Sequence, residues 1–570
     1  MKQMILLILT LMIVGIPLHS FALDESDLQT WTVTVTHISD GDTIDVRFQD
    51  DTEDRIRLLG IQAMEVHEDV PNDCHADEAT QRLIELTGGV GSEVILKVWD
   101  ESVYNTYTGT PRAWRYLFVD DGNGSEINVG LKMVEEGLVL AFPHTTETLY
   151  NDDFMIAQQN AAANKINLWN DSYCSDGPSQ EAQLEMWVNW DAEGDDYENV
   201  NGEWIKIKNN GGGDVSLSQW LLRDSALNYF YFPVGTTLSS GNTITVYLGS
   251  GSDSGNTLYW GLSEPLFKNE IGNGAYLLDP APDGDIRASF TYPCIVNCTD
   301  PLEGKIELIA NYDAAGDDAI ADPNGEWIEI KNISAETIDL EKYMLHALPI
   351  GSHIFYFNDG NSTIAPNEIM RIYVGQGTNT ALVKYWGKDN CILSNTEDKI
   401  WVDTFTGIEI ADFSWPCVEN CTDFLQGKID LSANYDAAGD DTTNPNGEWV
   451  DIDNISTDTI DLKNYILKSL PTGSHLFYFD DGASTIPPNE TMRIYIGNGT
   501  NTALTKYWGE SSGILSNGED MVWIDTYDGI LVACYGWPET CEKPPPFQEP
   551  EPEATPSAIT FAPLLQLLLK

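Results

Sequence analysis

The stretch Asn324-Gly-Glu-Trp-Ile-Glu-Ile-Lys331 decides the fold of most of this chain of 570 residues. Within it, β-branched and aromatic residues alternate with polar ones, which predicts a β-strand. Its opening Asn-Gly-Glu-Trp recurs at residues 446–449 and at residues 201–204. A block that returns after about 122 residues indicates repeated domains.

Other blocks recur in the same order around this stretch. Asn311-Tyr-Asp-Ala-Ala-Gly-Asp-Asp318 returns at residues 434–441, and Lys384-Tyr-Trp-Gly387 returns at residues 506–509. Units of about 110 residues with short alternating strands and frequent turn residues are typical of β-sandwiches. The predicted sandwiches span residues 182–295, 303–418 and 426–541.

The first 22 residues have the pattern of an export signal. Lys2 precedes an apolar run from Met4 to Pro17, and Ser20-Phe-Ala22 offers small residues at a cleavage site. No later apolar run approaches the roughly 20 residues that a membrane helix needs. The sequence therefore predicts a secreted protein whose mature chain begins near Leu23.

The nine cysteines favour disulfide bonds in an exported chain. Zinc is disfavoured, because each close pair has only two thiols and no histidine nearby. The connectivity stays open. Cys74 and Cys174 bracket most of the first domain, Cys294/Cys298, Cys417/Cys421 and Cys534/Cys541 end the three repeats, and Cys391 is the odd one.

The formal net charge is −61. Residues 23–175 alone carry 29 acidic and 9 basic side chains. This balance argues against long-range attraction of a polyanion such as DNA. It leaves catalysis open, because salt screens exposed charges beyond about 10 Å and a local cationic pocket can still act.

Residues 29–175 predict a small barrel of the oligonucleotide-binding (OB) type with three helices. The predicted strands run over residues 31–38, 43–48, 55–61, 93–99 and 113–119. The predicted helices lie at about residues 76–86, around residues 127–138 with Ile127, Leu131, Val134 and Leu138 on one face, and at about residues 150–167.

Three motifs in this domain resemble those of the thermonuclease (staphylococcal nuclease-like) family, in the family's order. They are Asp40-Gly-Asp-Thr43 after a strand, Arg57-Leu-Leu-Gly-Ile61 leading to Glu65, and Pro111-Arg112 before a strand. The resemblance implies phosphodiester hydrolysis of DNA, with RNA as the other substrate class. It makes Asp42 a calcium ligand, Glu65 the general base that activates water, and Arg57 and Arg112 the clamps on the phosphate.

Gln62 departs from the family pattern, because an aspartate that binds calcium is expected there. Gln62 still offers a neutral oxygen, and the backbone carbonyl of Ala63 needs no particular side chain, so the implied ligands are Asp42, Gln62 and Ala63. One ligand charge is lost, which predicts weaker calcium binding or another metal preference. Phe142 aligns with an aromatic of the nucleotide pocket, where it would stack on a base; packing in the core is the other interpretation.

The repeats resemble lamin tail domains, which implies immunoglobulin-like β-sandwiches with a role in interaction or tethering and no catalytic residues. Their acidic turns are candidates for second calcium sites, because a cation would relieve repulsion among close carboxylates. The candidate residues are Asp313, Asp317, Asp318, Asp436, Asp440 and Asp441. Acidic turns without a metal are the other interpretation.

Residues 542–570 form a tail rich in Pro and Glu with a short apolar end, which predicts an extended spacer and either a frayed end or a weak surface anchor. Together these features predict a multidomain, mainly β, secreted nuclease that depends on calcium. The alternative is a surface or binding protein whose nuclease-like domain is impaired by Gln62.

Overall fold

The computed structural model describes most of the chain between residues 25 and 538, and the chain divides into two compact units, Met1–Cys298 and Thr299–Lys570. The predicted export signal and C-terminal tail lie outside the described residues. The described residues are 25–67, 71–105, 112–170, 183–280, 284–312, 323–348, 353–395, 397–417, 422–436, 444–469, 475–479 and 481–538.

The first domain is built on a closed five-stranded barrel with the order β3-β2-β1-β5-β7, which closes because β3 and β7 pair in parallel. Val35, Ile44 and Leu96 are among its fully buried side chains. The predicted OB-type fold is confirmed. The strands of this domain are β1 (Gln29–Ile38), β2 (Thr43–Arg47), β3 (Glu53–Leu58), β4 (Gly60–Gln62), β5 (Glu93–Val98), β6 (Tyr104–Asn105), β7 (Arg112–Asp120), β8 (Glu126–Asn128) and β9 (Leu140–Phe142).

The strand predicted over residues 55–61 is wrong as one element, because the chain turns at Gly60. Gly60 has φ +82°, and a Cβ there would lie 2.1 Å from the ring of Phe154. Only glycine accepts both conditions. The chain leaves the barrel here, and β4 pairs with β9 instead. The turn separates Arg57 on the barrel from Gln62 on the second sheet.

Three helices pack on the barrel, as predicted. The first follows His75 and ends at Gly88, whose φ of +79° provides the left-handed cap. The second begins after Asn128, whose side chain accepts a hydrogen bond from the Leu131 N–H at 3.1 Å. The helices are α1 (Ala76–Thr87), α2 (Val129–Glu135) and α3 (Asn151–Ala163), and a 3-10 turn (Asn167–Trp169) follows.

Each repeat folds as two four-stranded sheets with a separate two-stranded pair. The first repeat contains β10 (Leu184–Asn189), β11 (Trp204–Asn209), β12 (Val215–Ser216), β13 (Leu221–Asp224), β14 (Tyr229–Tyr231), β15 (Thr237–Leu238), β16 (Thr243–Tyr247), β17 (Thr257–Tyr259), β18 (Asn273–Leu278) and β19 (Ile286–Tyr292). The second contains β20 (Ile306–Asn311), β21 (Trp327–Asn332), β22 (Ile338–Asp339), β23 (Tyr343–Ala347), β24 (His353–Tyr356), β25 (Thr363–Ile364), β26 (Ile369–Tyr373), β27 (Val383–Tyr385), β28 (Asp398–Thr404) and β29 (Glu409–Trp415). The third contains β30 (Ile429–Asn434), β31 (Trp449–Asn454), β32 (Ile460–Asp461), β33 (Tyr465–Ser469), β34 (His475–Tyr478), β35 (Thr485–Ile486), β36 (Thr491–Tyr495), β37 (Thr505–Tyr507), β38 (Asp520–Thr526) and β39 (Leu531–Trp537).

The three repeats share one strand order. In the first, the sheets run β10-β11-β16-β17 and β14-β13-β18-β19, and the other two repeats copy this order strand for strand. Only β16–β17, β26–β27 and β36–β37 pair in parallel among the described strands of the repeats. The inward side chains of both sheets form one core per repeat, as Ile205, Leu222 and Val246 do in the first. The predicted β-sandwiches are confirmed.

Five of the described cysteines take part in disulfide bonds. Cys294 is bonded to Cys298. Cys74, Cys417 and Cys534 are also disulfide-bonded. The remaining cysteines of the predicted groups lie outside the described residues; they are Cys174, Cys421 and Cys541.

The glutamate of each Asn-Gly-Glu-Trp motif is fully buried and ties two parts of its sandwich together. Glu203 accepts hydrogen bonds from the N–H groups of Leu266 and Phe267, at 2.8 and 3.3 Å. The other two copies do the same: Glu326 accepts from Ile392 and Leu393, and Glu448 accepts from Ile514 and Leu515. The repeated motif is therefore explained by folding.

Glu203→Gln is expected to remove a pH-dependent loss of stability from the first sandwich. Burial raises the pKa of Glu203 to about 8, although hydrogen bonds from Leu266 and Phe267 act against it. Between the lower pKa of the unfolded chain and pH 8, the folded state holds a proton that unfolding releases. The free energy of unfolding therefore falls as pH rises, by up to about 1.4 kcal/mol per pH unit.

Thermal unfolding of the full chain at pH 5.5 and pH 8 measures this effect. The wild type should lose more stability than the Glu203→Gln variant over that interval. Glu198→Gln, at an exposed position of the same sandwich, is the matched control. Equal pH dependence in the wild type and the Glu203→Gln variant would contradict the raised pKa.

The barrel domain and the first sandwich share an apolar core within one unit. Met64 and Trp169 of the barrel domain pack in one buried cluster with Tyr276 and Leu278 of the sandwich. Polar groups add to this interface, since the Gln159 side chain accepts from the N–H groups at 295 and 296 and donates to the carbonyl at 293. The two domains are therefore joined by a packed interface.

Candidate active site

Asp42 lies buried in the loop between β1 and β2. Its Oδ1 accepts from the Thr43 hydroxyl at 3.0 Å, and its Oδ2 accepts from the Ala63 N–H at 2.7 Å. The neighbouring Gly41 is required by packing, because a Cβ there would lie 2.7 Å from that of Ala79 on α1. The motif thus folds into a turn that holds one carboxylate inside the protein.

Arg57 reaches the same point from β3. Its Nη1 forms an ion pair with Asp42 Oδ1, and its Nη2 donates to Gln62 Oε1. The residue is 5% exposed. Burial lowers the pKa of Arg57 to about 10, which leaves the guanidinium charged at neutral pH.

Gln62 connects this ion pair to Glu65. Its Nε2 donates to the Ala63 carbonyl at 2.9 Å and to Glu65 Oε1 at 3.1 Å. Its Oε1 is directed at Arg57. Asp42, Arg57, Gln62, Ala63 and Glu65 therefore form one hydrogen-bonded network, in which the Gln62 amide occupies oxygens of both Ala63 and Glu65.

Asp40 and Arg112 lie beside this network. Asp40 Oδ1 accepts from the Asp42 N–H at 3.0 Å, and Arg112 Nη1 donates to the Thr43 hydroxyl at 3.3 Å. Burial raises the pKa of Asp40, and the charges of Arg57 and Arg112 act in the opposite direction. Both arginines therefore surround a second carboxylate of the same loop.

Glu65 is partly buried at the edge of the network. Burial raises the pKa of its carboxyl group, while the charge of Arg57 lowers it, as does the charge of Arg223 in the first sandwich. Asp40 and Asp73 raise it further. A carboxylate whose pKa is shifted towards neutral pH by burial has the property that a general base requires.

Phe142 lines a cleft of about 490 Å³ between the barrel domain and the first sandwich. Its ring packs edge-on against Trp114 with centroids 5.7 Å apart, and Trp114 also contacts His144 at 4.7 Å. Burial lowers the pKa of His144 to about 4, so the imidazole is neutral at pH 7. Asp224 and other sandwich residues form the opposite wall.

Comparison with known families assigns the domains. Residues 55–171 match the family described as staphylococcal nuclease homologue, and residues 188–294 and 427–539 match the Lamin Tail Domain family. The chain carries a staphylococcal nuclease-like domain followed by lamin tail domains. The repeat between the two matched ones has the same strand order as they do. The chain has no match among the curated proteins that were compared.

The nuclease-like domain fits a nuclease family and implies nucleic-acid binding. The family match begins at Arg55 and therefore contains Arg57, Gln62, Glu65, Arg112 and Phe142. Among the described residues, no helix is long and apolar enough to cross a membrane.

The oxygen donors of the nuclease-like domain suit a hard cation such as calcium in type. They comprise the carboxylates of Asp40, Asp42 and Glu65 and the carbonyl of Ala63. Asp40 and Glu65 also repel each other, which a divalent cation would relieve. In the described parts of the chain, however, no group of three or more His, Cys, Asp or Glu side chains is already spaced to hold a metal ion. Arg57 binds Asp42 Oδ1, and the Gln62 amide donates to the Ala63 carbonyl and to Glu65.

Of the second calcium sites predicted in the repeats, only Asp436 lies within the described residues, where it is exposed. The other predicted ligands lie outside them: Asp313, Asp317, Asp318, Asp440 and Asp441.

Sequence reasoning missed Asp40 and Arg223. Asp40 stands in the motif that drew attention to Asp42, so its acidic side chain was an available signal. Arg223 follows Met64 by 159 positions, and only folding brings the two together. The surroundings of Glu65 are therefore shared between two domains.

Proposed function

We propose that this protein is an exported nuclease that hydrolyses phosphodiester bonds of DNA, with RNA as a further substrate, by metal-assisted attack of water. The convergence of Asp42, Arg57, Gln62 and Glu65 in one network carries this proposal. These residues come from three separate segments of the barrel domain, and their types are those that phosphodiester hydrolysis requires.

Each residue has a chemical role in the proposed reaction. Glu65 removes a proton from the attacking water, for which its raised pKa suits it. Arg57 and Arg112 hold the phosphate and its developing charge, because a planar guanidinium pairs with two phosphate oxygens. Phe142, which lines the cleft, would stack on a base.

Asp42, the Gln62 side-chain oxygen and the Ala63 carbonyl would hold a calcium ion, with Asp40 beside them, and the ion would supply Lewis acidity at the phosphate. Arg57 must then release Asp42, and Gln62 must release the Ala63 carbonyl. Arg57 is thereby freed to hold the phosphate. Gln62 supplies no charge to this donor set, so a high calcium requirement is part of the proposal.

Export follows in the proposal from the N-terminal signal pattern and from the disulfide bonds, which persist in oxidising compartments. The lamin tail domains then tether or position the enzyme outside the cell. The acidic chain repels nucleic acid at long range, so activity should rise with ionic strength until contacts in the site are screened.

A binding protein with an impaired nuclease-like domain is the second candidate. One observation favours it: the Gln62 amide donates to the Ala63 carbonyl and to Glu65, and so occupies the oxygens that a metal ion and a water molecule would use. Such a protein would bind nucleic acid without cleaving it.

Plasmid degradation by the purified mature protein over a calcium titration distinguishes the two candidates. Cleavage that increases with calcium supports the nuclease. Nucleic-acid binding without cleavage at any millimolar calcium concentration supports the binding protein and contradicts the nuclease. N-terminal sequencing of the protein recovered from culture medium tests export, with Leu23 as the expected first residue.

Gln62→Asp is expected to lower the calcium concentration for half-maximal activity by about tenfold, because a charged ligand replaces a neutral one. The same change removes the amide that donates to Ala63 and Glu65. Gln81→Asp, on the exposed face of α1, adds the same charge away from the site and is the matched control. An unchanged calcium requirement in the Gln62→Asp variant would mean that this side chain does not approach the ion.

A further inference from the structure

Arg223 is a buried cation at the interface between the first sandwich and the nuclease-like domain. Its side chain is 1% exposed, and its Nη1 lies 3.5 Å from the sulfur of Met64, the residue before Glu65. Its Nε donates to the carbonyl of Asp224. Its Nη2 is buried without a hydrogen-bond partner among the described residues.

The corresponding strand position carries a basic residue in all three repeats. Arg223 lies opposite Tyr276, His346 opposite Trp401, and Lys468 opposite Trp523. Because the strand order is the same, these pairs occupy equivalent places. A basic residue on the second strand of the β14-β13-β18-β19 sheet, or of its equivalent, is therefore common to the repeats.

In the second and third repeats this basic residue has an acidic partner in its own sandwich. His346 Nε2 lies 2.9 Å from Asp403, and Lys468 Nζ lies 3.9 Å from Asp525. The indole N–H groups of the neighbouring tryptophans donate to the same two carboxylates, at 3.3 and 2.9 Å.

The first repeat lacks this acid. Leu278 pairs with Leu221 as Asp403 does with Met344 and as Asp525 does with Ile466, so Leu278 occupies the position of the acid. Leu278 is buried against the nuclease-like domain. Tyr276 stands where the other repeats have tryptophan, and its hydroxyl accepts a hydrogen bond from Gln158 of the nuclease-like domain at 3.1 Å.

Through Leu278 and Tyr276, the β14-β13-β18-β19 sheet of the first repeat contacts the nuclease-like domain. A buried guanidinium without an ion pair is costly, because desolvation is not offset by a counter-charge. Arg223 forms no ion pair with any described carboxylate, and the carboxylates whose charges interact with it at longer range are those of Asp224 and Glu65. It lies against the segment that carries Glu65. The charges of Arg57, Asp40 and Asp73 also act on the Glu65 carboxyl group.

We propose that Arg223 is a positioning residue of the phosphodiester-cleaving site, so that the first lamin tail domain and the nuclease-like domain form one catalytic unit. This inference rests on the proposed nuclease function. Arg223 fixes Met64 and thereby Glu65 relative to Arg57, and adds a third positive charge where negative charge develops on the phosphate. The sandwich is thus part of the enzyme's site as well as a tether.

Arg223→Met in the full mature chain tests this role, because methionine keeps much of the side-chain volume and removes the charge. With a short fluorogenic oligonucleotide and saturating calcium, kcat should fall by about 10- to 100-fold while KM changes by less than about threefold. Arg223→Lys keeps a positive charge and should recover part of the lost kcat.

Lys468→Met removes the equivalent cation from the third repeat and is the matched control, with wild-type kcat expected. Leu278→Asp is a second variant: it restores the acid of the other repeats, should draw Arg223 away from Met64, and should lower kcat without removing any arginine.

Three results would overturn the inference. An active wild type with unchanged kcat in the Arg223→Met variant would remove Arg223 from the site and leave the nuclease function standing. Equal losses of kcat in the Met and Lys variants, matched by equal losses of melting temperature, would leave a purely structural role. An inactive wild type would overturn the nuclease function and this inference together.

Discussion

Glu65→Gln is expected to lower the rate of phosphodiester cleavage by about 10³-fold, because an amide cannot take a proton from the attacking water. The substitution keeps the shape of the side chain and an oxygen that accepts from Gln62 Nε2. The network around Asp42 and Arg57 should therefore persist. Single-turnover cleavage of an oligonucleotide at saturating calcium measures the chemical step directly.

Glu93→Gln, at an exposed position on β5, makes the same chemical change outside the site and should cleave at the wild-type rate. The wild-type rate should also fall on acidification through a pKa above the ordinary value of a glutamate, because burial raises the pKa of Glu65 and only the ionised form is a base. A Glu65→Gln variant within tenfold of the wild type would exclude Glu65 as the general base.

Much of the barrel could be predicted because period-two and helical patterns report burial directly. The predicted ends of β1 and β7 lie within two residues of the observed ends. The turn at Gly60 could not be predicted, because it depends on the ring of Phe154, which is distant in sequence. The predicted strand therefore ran through the turn that separates Arg57 from Gln62.

The sequence predicted which residues form the site, but it did not predict how their side chains are arranged. The motifs located Asp42, Arg57, Gln62 and Glu65, and these residues contact one another in one network. Sequence alone did not indicate that the Gln62 amide bridges Ala63 and Glu65, because amide orientation depends on neighbours. Arg223 required comparison of aligned strands across three folded repeats.

The sandwiches show that a conspicuous sequence motif does not have to mark a functional site. The repeated Asn-Gly-Glu-Trp block predicted strands, and the structure assigns its glutamate a structural role, since Glu203 ties a strand to a distant loop. The conspicuous repeated motif thus serves folding. The difference that bears on function is at Leu278, which no motif marks.

Arg57→Met is expected to have the second large effect, on both stability and activity. Arg57 is buried and is paired with Asp42, which is 1% exposed. Removing one partner of a buried pair leaves the other charge without compensation and costs about 3–5 kcal/mol. Loss of a guanidinium that holds the phosphate should reduce kcat by a further factor of about 10²–10³.

The double variant Asp42→Asn/Arg57→Met separates the loss of stability from the loss of activity, because it removes both charges of the buried ion pair. We expect it to unfold at a higher temperature than the Arg57→Met variant and to remain inactive, since the cation that holds the phosphate and the charge of a proposed calcium ligand are both missing. Arg47→Met, which removes an exposed ion pair with Glu53, should change stability little and activity not at all. If the double variant were no more stable than the Arg57→Met variant, the ion pair between Arg57 and Asp42 would not be the source of the lost stability. Recovery of activity in the double variant would instead show that Arg57 serves the fold of the turn and not the phosphate.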